Sequence, residues 1–401
     1  MSVWGRPGFT PLVTSATVSE VGSQVSVLVL PVLAATVLAA TPWEMGVLAA
    51  AGTVPFLVVG LPAGALVDRW RPRRVMVVCD LLRAGLLVTL PLVAWFGGLG
   101  LAQAVAVAFA VGVATVFADV AAQSILPALV DRDDLVRANS VLMTGASAAE
   151  VAGPGLGGLL LRVVSAPAAL LADVASFLLS AVFLRRVPAP ARPPGSGRRA
   201  LLREIAEGLR YVVGHPVIRR ITLCTAGINL ASGLREAVVV LFALRTLGLS
   251  PSTLGIVLSV GAVGGVLGAL TAGRLADLVG QGRVVPLAAL LEVPSVALTP
   301  VAHGAVLLAV SAAGAAFAAV AYNVAQVSMR QRTCPPELLG RMNASIRTLV
   351  FGTPPVGALL GGALAGALGL VPVLWVAVAV TVVAAVPVVF SPLLRDELPE
   401  E

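Results

Sequence analysis

Two glutamates sit deep inside apolar stretches of this chain. Glu20 lies in "VSEVGSQVS", beside Ser19, Ser23 and Gln24, and Glu150 directly precedes the glycine-rich "VAGPGLGG". A carboxylate within hydrocarbon is expensive, so an ionisable residue there marks a functional position by default. Desolvation favours a neutral acid, which is what a proton carrier working near neutrality requires. Proton coupling is one expectation for both residues; hydrogen-bonded pairing between helices is the other. Asp173, Glu292 and the adjacent pair Arg235–Glu236 are further charges inside apolar runs. Sequence neighbours point different ways on a helix, so Arg235 and Glu236 read as outer-gate contacts or as a site for a charged substrate.

Catalysis has no comparable support. No HExxH occurs, His215 and His303 are the only histidines, and no lysine exists to complete a phosphate-binding GxxxxGK[ST] loop. Cys79, Cys224 and Cys334 show no CxxC spacing, so neither a disulfide framework nor a metal site is expected. The chain reads as a non-enzyme with no cofactor and no metal.

The elements that must position these charges follow from composition. Of 401 residues, 58% are hydrophobic and only 12% charged, against roughly half and a quarter in soluble domains. Apolar runs of about 20 residues, long enough to cross roughly 30 Å of hydrocarbon as helices, recur from end to end. They lack the alternation of a transmembrane barrel. Gly, Pro and charge breaks divide them into twelve spans: 11–39, 44–67, 74–96, 100–124, 139–161, 167–184, 217–244, 252–277, 284–301, 304–328, 343–367 and 371–392. The fold class is an all-α polytopic membrane protein.

Net charge is +7, and all 27 basic residues are arginine. They gather in short connections rather than in a nucleic-acid footprint. With both termini cytoplasmic, 24 of the 27 fall on the cytoplasmic side, and only Arg162, Arg235 and Arg245 remain on or near the outer side. That count places Arg83 in the connection between spans two and three, and Arg330 in the one between ten and eleven. Retention of positive charge in cytoplasmic loops accounts for this asymmetry. Between the sixth and seventh spans, "PAPARPPGSGRR" (188–199) is a linker. After it, Leu201, Leu202, Ile205, Leu209, Val212 and Val213 share one helical face opposite Arg203, Glu204, Glu207 and Arg210, the pattern of a helix lying on the membrane surface. The expected organisation is a six-helix bundle over 1–186, a linker with an amphipathic helix over 187–216, a second six-helix bundle over 217–394 and a short cytoplasmic tail over 395–401.

The halves repeat. Gly64 and Asp68 return as Gly273 and Asp277, 209 residues on; "RANS" (137–140) returns as "RMNA" and "GPGLGG" (153–158) as "GALLGG", both 204 on. Three matches in order indicate duplication. Two pseudo-symmetric six-helix bundles joined by a linker form the architecture of a transporter that rocks about a central site.

On these residues the chain resembles a major facilitator superfamily transporter over essentially its full length. "GALVDRWRPRR" resembles that superfamily's motif between helices two and three, without the usual loop glycine around Arg71 and Pro72. "GPGLGG" resembles its helix-five antiporter motif, with Ala149 where the family has an earlier glycine. "LPALVDRDDLVRANS", "LLADVASFLLSAVFLRRVP" and "LGLSPSTLGIVLSVGAVGGVLGAL" resemble the proton-driven branch that includes macrolide efflux pumps and siderophore exporters. The resemblance implies a cytoplasmic latch in which Asp68, Arg69, Arg73 and Arg74 hold helix two to helix eleven, with Asp119 as a further partner. Arginines acting only as topological anchors are the alternative. It implies that Gly153, Pro154, Gly157 and Gly158 seal the cavity, packing alone being the alternative. It also implies that Glu20 and Glu150 face that cavity, that Asp173 pairs structurally at an outer position, and that Glu292 lies on a peripheral helix.

Gln24, Asn229, Asn323 and Gln326 are the expected hydrogen-bonding groups of an otherwise greasy cavity, which suits bulky amphipathic molecules better than sugars. The expected function is proton-coupled efflux of a lipophilic drug-like or secondary-metabolite compound by alternating access; the alternative is an uptake permease or uniporter. The expected partners are a small-molecule substrate, protons and the lipid bilayer, with no nucleic acid, for a monomer in the cell membrane. A non-transporting scaffold is disfavoured because the linker is the only sizeable soluble segment.

Overall fold

A computed structural model describes Trp4 and residues 6–67, 69–131, 134–188 and 209–391. Asp68, Arg132, most of the linker (189–208, including Leu201, Leu202, Arg203, Glu204, Ile205 and Glu207) and the tail (392–401) lie outside the described residues.

The described residues form helices and connecting turns, with no strand among them. In chain order the helices are α1 (Phe9–Thr36), α2 (Pro42–Val58), α3 (Gly60–Val67), α4 (Pro72–Trp95), α5 (Leu101–Ile125), α6 (Leu135–Val163), α7 (Ala166–Ala169) and α8 (Leu171–Leu184). The second half continues with α9 (Pro216–Leu241), α10 (Pro251–Val279), α11 (Gln281–Ala297), α12 (Ala305–Thr333), α13 (Pro336–Leu368) and α14 (Leu370–Val389). They make the twelve expected spans, because α2 with α3 and α7 with α8 are single spans broken once. The first break has a local cause. Pro62 has no N–H for the Val58 carbonyl four residues back, and the helix is interrupted at Val59.

Nine of the described segments are long and apolar enough by themselves to cross a membrane. The others fall short for visible reasons: Pro42–Val58 is cut by the break, Gln281–Ala297 has 17 residues, and Leu135–Val163 is diluted by Glu150 and by its glycines and small polar residues. Several helices overrun the bilayer. "RANS" and "RMNA" therefore lie inside α6 and α13 rather than ahead of them. Between α10 and α11 the connection is Gly280 alone, at φ 90°, a backbone state that a side chain resists.

The chain divides into two compact units, one of 1–197 with 250–259, the other of 198–249 with 260–401. Inside each, glycines let helix backbones touch, and the two units use the same device. In the first, a Cβ on Gly153 would collide with Gln24, and one on Gly157 would stand 3.3 Å from the Val25 carbonyl. In the second, a Cβ on Gly357 would collide with the Leu230 carbonyl, and one on Gly361 would stand 2.6 Å from that of Leu234. The motif duplicated in sequence is thus duplicated in packing: α6 lies on α1 as α13 lies on α9. Small residues at such contacts replace the hydrophobic drive that lipid cannot supply. Gly158 faces elsewhere, toward Ser252 and Gly255 in the first turns of α10, a stretch that belongs to the first unit.

Val212 is buried against Ile218, Cys334, Met342 and Ile346 in the second unit, whereas Leu209 and Val213 are exposed. Overpacking costs about 1–3 kcal/mol, so Gly157→Leu and Gly361→Leu are each expected to lower the thermal midpoint of the detergent-solubilised protein. Gly64→Leu, where a Cβ meets nothing within 4 Å, is expected to leave it unchanged.

Candidate functional site

The close fit of α1 and α6 sets the register of their polar residues. Gly145 meets Thr17, Gly153 meets Gln24 and Gly157 meets Val25, so contacts advance together along both helices. Glu150, between the first two contacts, comes level with Glu20, and the two carboxyls are close enough to interact electrostatically. Gln24 donates from Nε2 to Glu20 Oε1 at 2.9 Å, one turn away on the same helix face. Glu20 is half-buried and Glu150 exposed. Glu20, Gln24 and Glu150 thus share one locale at the α1–α6 contact.

The larger polar cluster of the first unit lies between α1, α4 and α8, and sequence reasoning missed most of it. Arg83 is 7% exposed and Asp80 2%. They form an ion pair at i and i+3 on α4, and Ser180 Oγ on α8 donates to the other Asp80 oxygen at 2.6 Å. The Arg83 guanidinium also lies over the Phe177 ring, 4.2 Å from its centroid. Arg83 therefore does not belong to the positive connection between spans two and three. It is a buried countercharge eleven residues inside a helix that starts at Pro72. The signal was present as an acid and a base three apart in "CDLLRAG". One turn of α8 away, Asp173 is 2% exposed and accepts from Ser26 Oγ of α1 at 2.6 Å. A Cβ at Gly22 would collide with Ser176 Oγ and lie 2.6 Å from Asp173 Oδ1, so only glycine permits this approach of α1.

In the second unit the candidates separate. Asn229 donates to the Thr225 carbonyl of its own helix at 2.8 Å, and Gln326, buried, donates to Asn323 Oδ1 at 2.8 Å while Asn323 is exposed. Ser232 donates to Glu236 at 3.3 Å. Glu292 is 6% exposed and its Oε2 has no hydrogen-bond partner; the charge that acts on it is Arg235 of α9, rather than any on its own helix. Arg235 thus acts on Glu292 as well as on Glu236. The 209-residue offset carries Arg83 onto Glu292, so each unit buries a charge at the same place in its third helix, with opposite sign. Tyr322 of α12 was also unforeseen: its hydroxyl bridges Thr225 Oγ1 at 2.9 Å and the Ile221 carbonyl at 3.1 Å. Arg330, counted among the loop arginines, is buried near the end of α12.

The motif after α3 is anchored within the first unit. Arg73 donates to the Val187 carbonyl at 2.9 Å, beyond the end of α8, and Trp70 packs against Phe117 of α5. Arg69, Arg74 and Asp119 are exposed, as are Gly273 and Asp277 on α10; Gly64 is partly buried. Arg6 pairs with Asp131 and, at 3.4 Å, with Asp134, which raises the affinity of its guanidinium for its proton. Among the described residues no group of three metal-ligating side chains converges.

Comparison with known proteins agrees with this architecture. The model of one family, described as transmembrane secretion effector, matches residues 5–398. The chain is 30% identical over 346 residues to the multidrug efflux pump Tap of Mycolicibacterium fortuitum, covering 82% of each. It is 27% identical over 243 residues to the enterobactin exporter EntS of Escherichia coli, covering 61% of this chain and 57% of that one. Among solved structures, the nucleoside transporter NupG superimposes with TM-score 0.78 at 12% identity, covering 97% of this chain and 98% of that one. A bacterial homologue of the iron transporter ferroportin gives 0.74 at 16%, covering 95% and 98%. At such identities these two show the fold alone.

The buried pair makes a direct prediction. Removing one partner of a buried ion pair costs about 3–5 kcal/mol, whereas replacing both by apolar groups is often neutral. Arg83→Met is expected to lose most of its folded yield in size-exclusion chromatography, and Asp80→Leu/Arg83→Met to recover it.

Proposed function

The chain belongs to the transmembrane secretion effector family of major facilitator transporters, and on that premise we propose that it exports a lipophilic drug-like or secondary-metabolite compound in exchange for protons. The observation that carries this reading is the pairing of Glu20 and Glu150 across the α1–α6 contact, level with each other and within electrostatic reach. Two carboxyls that share a locale repel when both are ionised, so one proton relieves the strain between them. A cationic or hydrogen-bonding substrate would compete with that proton for the same two acids, and this competition is the elementary requirement of an antiporter. A relative that pumps drugs and another that exports a siderophore favour outward movement over uptake.

In this reading the two bundles alternate in exposing one site to either side of the membrane, the termini are cytoplasmic, and the protein works as a monomer in the cell membrane. Gln24, Asn229, Arg235, Glu236, Asn323 and Gln326 are the candidates for contact with the substrate. Asp68, Arg69, Arg73, Arg74, Asp119 and Asp277 bias the opening of the inner side. The Arg73 bond to Val187 supports a role for that arginine in bracing the α8 end of the first unit.

Expression in a sensitised bacterial host, screened against a panel of lipophilic antibiotics and dyes, is expected to raise resistance to at least one compound and to lower its accumulation. A protonophore is expected to abolish both effects. Glu20→Gln and Glu150→Gln are each expected to abolish gradient-driven efflux while membrane levels remain normal. Full efflux in both single variants and the double would discard the coupling assignment, and lower accumulation in cells lacking the chain would favour the uptake alternative.

A further inference from the structure

The buried cluster between α1, α4 and α8 holds two acids and a single base. Asp80 is satisfied as a carboxylate: one oxygen takes Arg83 and the other takes Ser180 at 2.6 Å. Asp173 has no ion pair. Its Oδ2 accepts from Ser26 at 2.6 Å. Its Oδ1 lies 3.0 Å from Ser176 Oγ, but that hydroxyl also reaches the Asp173 main-chain carbonyl at 2.8 Å. A serine has one hydrogen to donate, so it serves one of these two acceptors at a time. The start of α8 offers nothing in compensation, because the N–H groups of Asp173 and Val174 are both taken by the Leu170 carbonyl.

We propose that Asp173 is a proton-binding site of the first unit, built by Ser26, Ser176 and Gly22 and distinct from the Glu20–Glu150 pair. A proton on Oδ1 lets the acid donate to Ser176 Oγ while Ser176 keeps its own hydrogen on the main-chain carbonyl. Both oxygens of Asp173 and the Ser176 hydroxyl then have partners, and the surplus negative charge is gone. In the ionised state one acceptor is short of a donor, and a buried carboxylate that makes no ion pair is costly. Four helices pack against or carry this site, and the groups that face it are Glu20 from α1 and Asp80 with Arg83 from α4; α7 brings none and α8 carries only Asp173 itself.

The position gives the proton a use. Ser26 is six residues from Glu20 on α1, roughly 9 Å along the helix, so Asp173 and the Glu20–Glu150 pair form two stations along one helix. Loss of the proton leaves the charge on Asp173, at the α1–α8 contact that Gly22 makes possible. This transport role rests on the proton-coupled reading above; the proton-binding site itself does not.

Infrared difference spectroscopy of the purified protein, titrated across neutrality, reads a buried carboxylic acid by its C=O stretching band. The wild type is expected to show such a band, Asp173→Asn to lack it, and Ser26→Ala to shift it upward as one hydrogen bond is lost. Ser26→Ala retains the acid and the packing, and so reports on the site even where Asp173→Asn folds poorly. Spectra of Asp173→Asn and Ser26→Ala identical to wild type at every pH would overturn the site. Liposomes loaded with a pH-sensitive dye and challenged with ethidium under an imposed pH gradient test the use. There, Asp173→Asn is expected to fall to the level of empty liposomes when driven by the gradient, yet to retain downhill ethidium flux. Gradient-driven flux equal to wild type would overturn the carrier role. A wild type that moves no ethidium or any other panel compound with protons would sink the antiport reading instead, while leaving the band to decide the site.

Discussion

Hydrocarbon offers a charge no solvent, and the arrangement of this protein follows from that single cost. A carboxylate or guanidinium in the bilayer must find an opposite charge, a set of hydrogen-bond donors, or a proton. The first unit shows all three solutions within a few turns of helix. Asp80 has Arg83 and Ser180; Asp173 has two hydroxyls and no cation; Glu20 has Gln24 and faces another acid. The first is fully compensated and therefore structural. The others are compensated only in part, and incomplete compensation is what lets a proton or a charged substrate change the state of the site.

The same cost governs the backbone. Helices that cannot rely on the hydrophobic effect to associate in lipid do so through close contact, and here glycine supplies it at matching places in both units. Gly153 and Gly157 seat α6 on α1, and Gly357 and Gly361 seat α13 on α9. Duplication preserved this packing while the buried charges diverged: the position that is Arg83 in one unit is Glu292 in the other. The two bundles share one architecture but bury different sets of charges. The first carries the serine-lined acids, and the second an acid answered by Arg235 on a neighbouring helix.

The span assignments were legible because they depend on local chemistry. Twenty apolar residues followed by Gly, Pro or Arg make a spanning helix in almost any context, and the observed ends differ from those expected by a few residues. Pro62 interrupted one span and Gly280 tightened a connection to a single residue, both foreseeable in kind from residue type. The repeat was legible too, since its marks are glycines whose purpose is the same in both copies. What failed was the inference from arginine to loop. Arg83 and Arg330 were assigned to cytoplasmic connections by proximity in sequence, whereas both are buried in helices. An arginine eleven residues into a helix has left the interface, and the span expected at 74–96 already placed Arg83 inside it, in conflict with its assignment to the connection.

By itself, then, the sequence determined a twelve-span all-helical membrane protein in two related halves, a transporter rather than an enzyme, with Glu20 and Glu150 among its few intramembrane acids. It determined these because length, hydropathy and glycine placement act along the chain. Tertiary structure alone decided which charges answer one another. Asp80 and Ser180 are a hundred residues apart, Ser26 and Asp173 a hundred and forty-seven, and Arg235 and Glu292 lie on different helices. Pairing of that kind depends on the rotation of each helix about its axis, which close packing sets to within one side chain and no local pattern encodes.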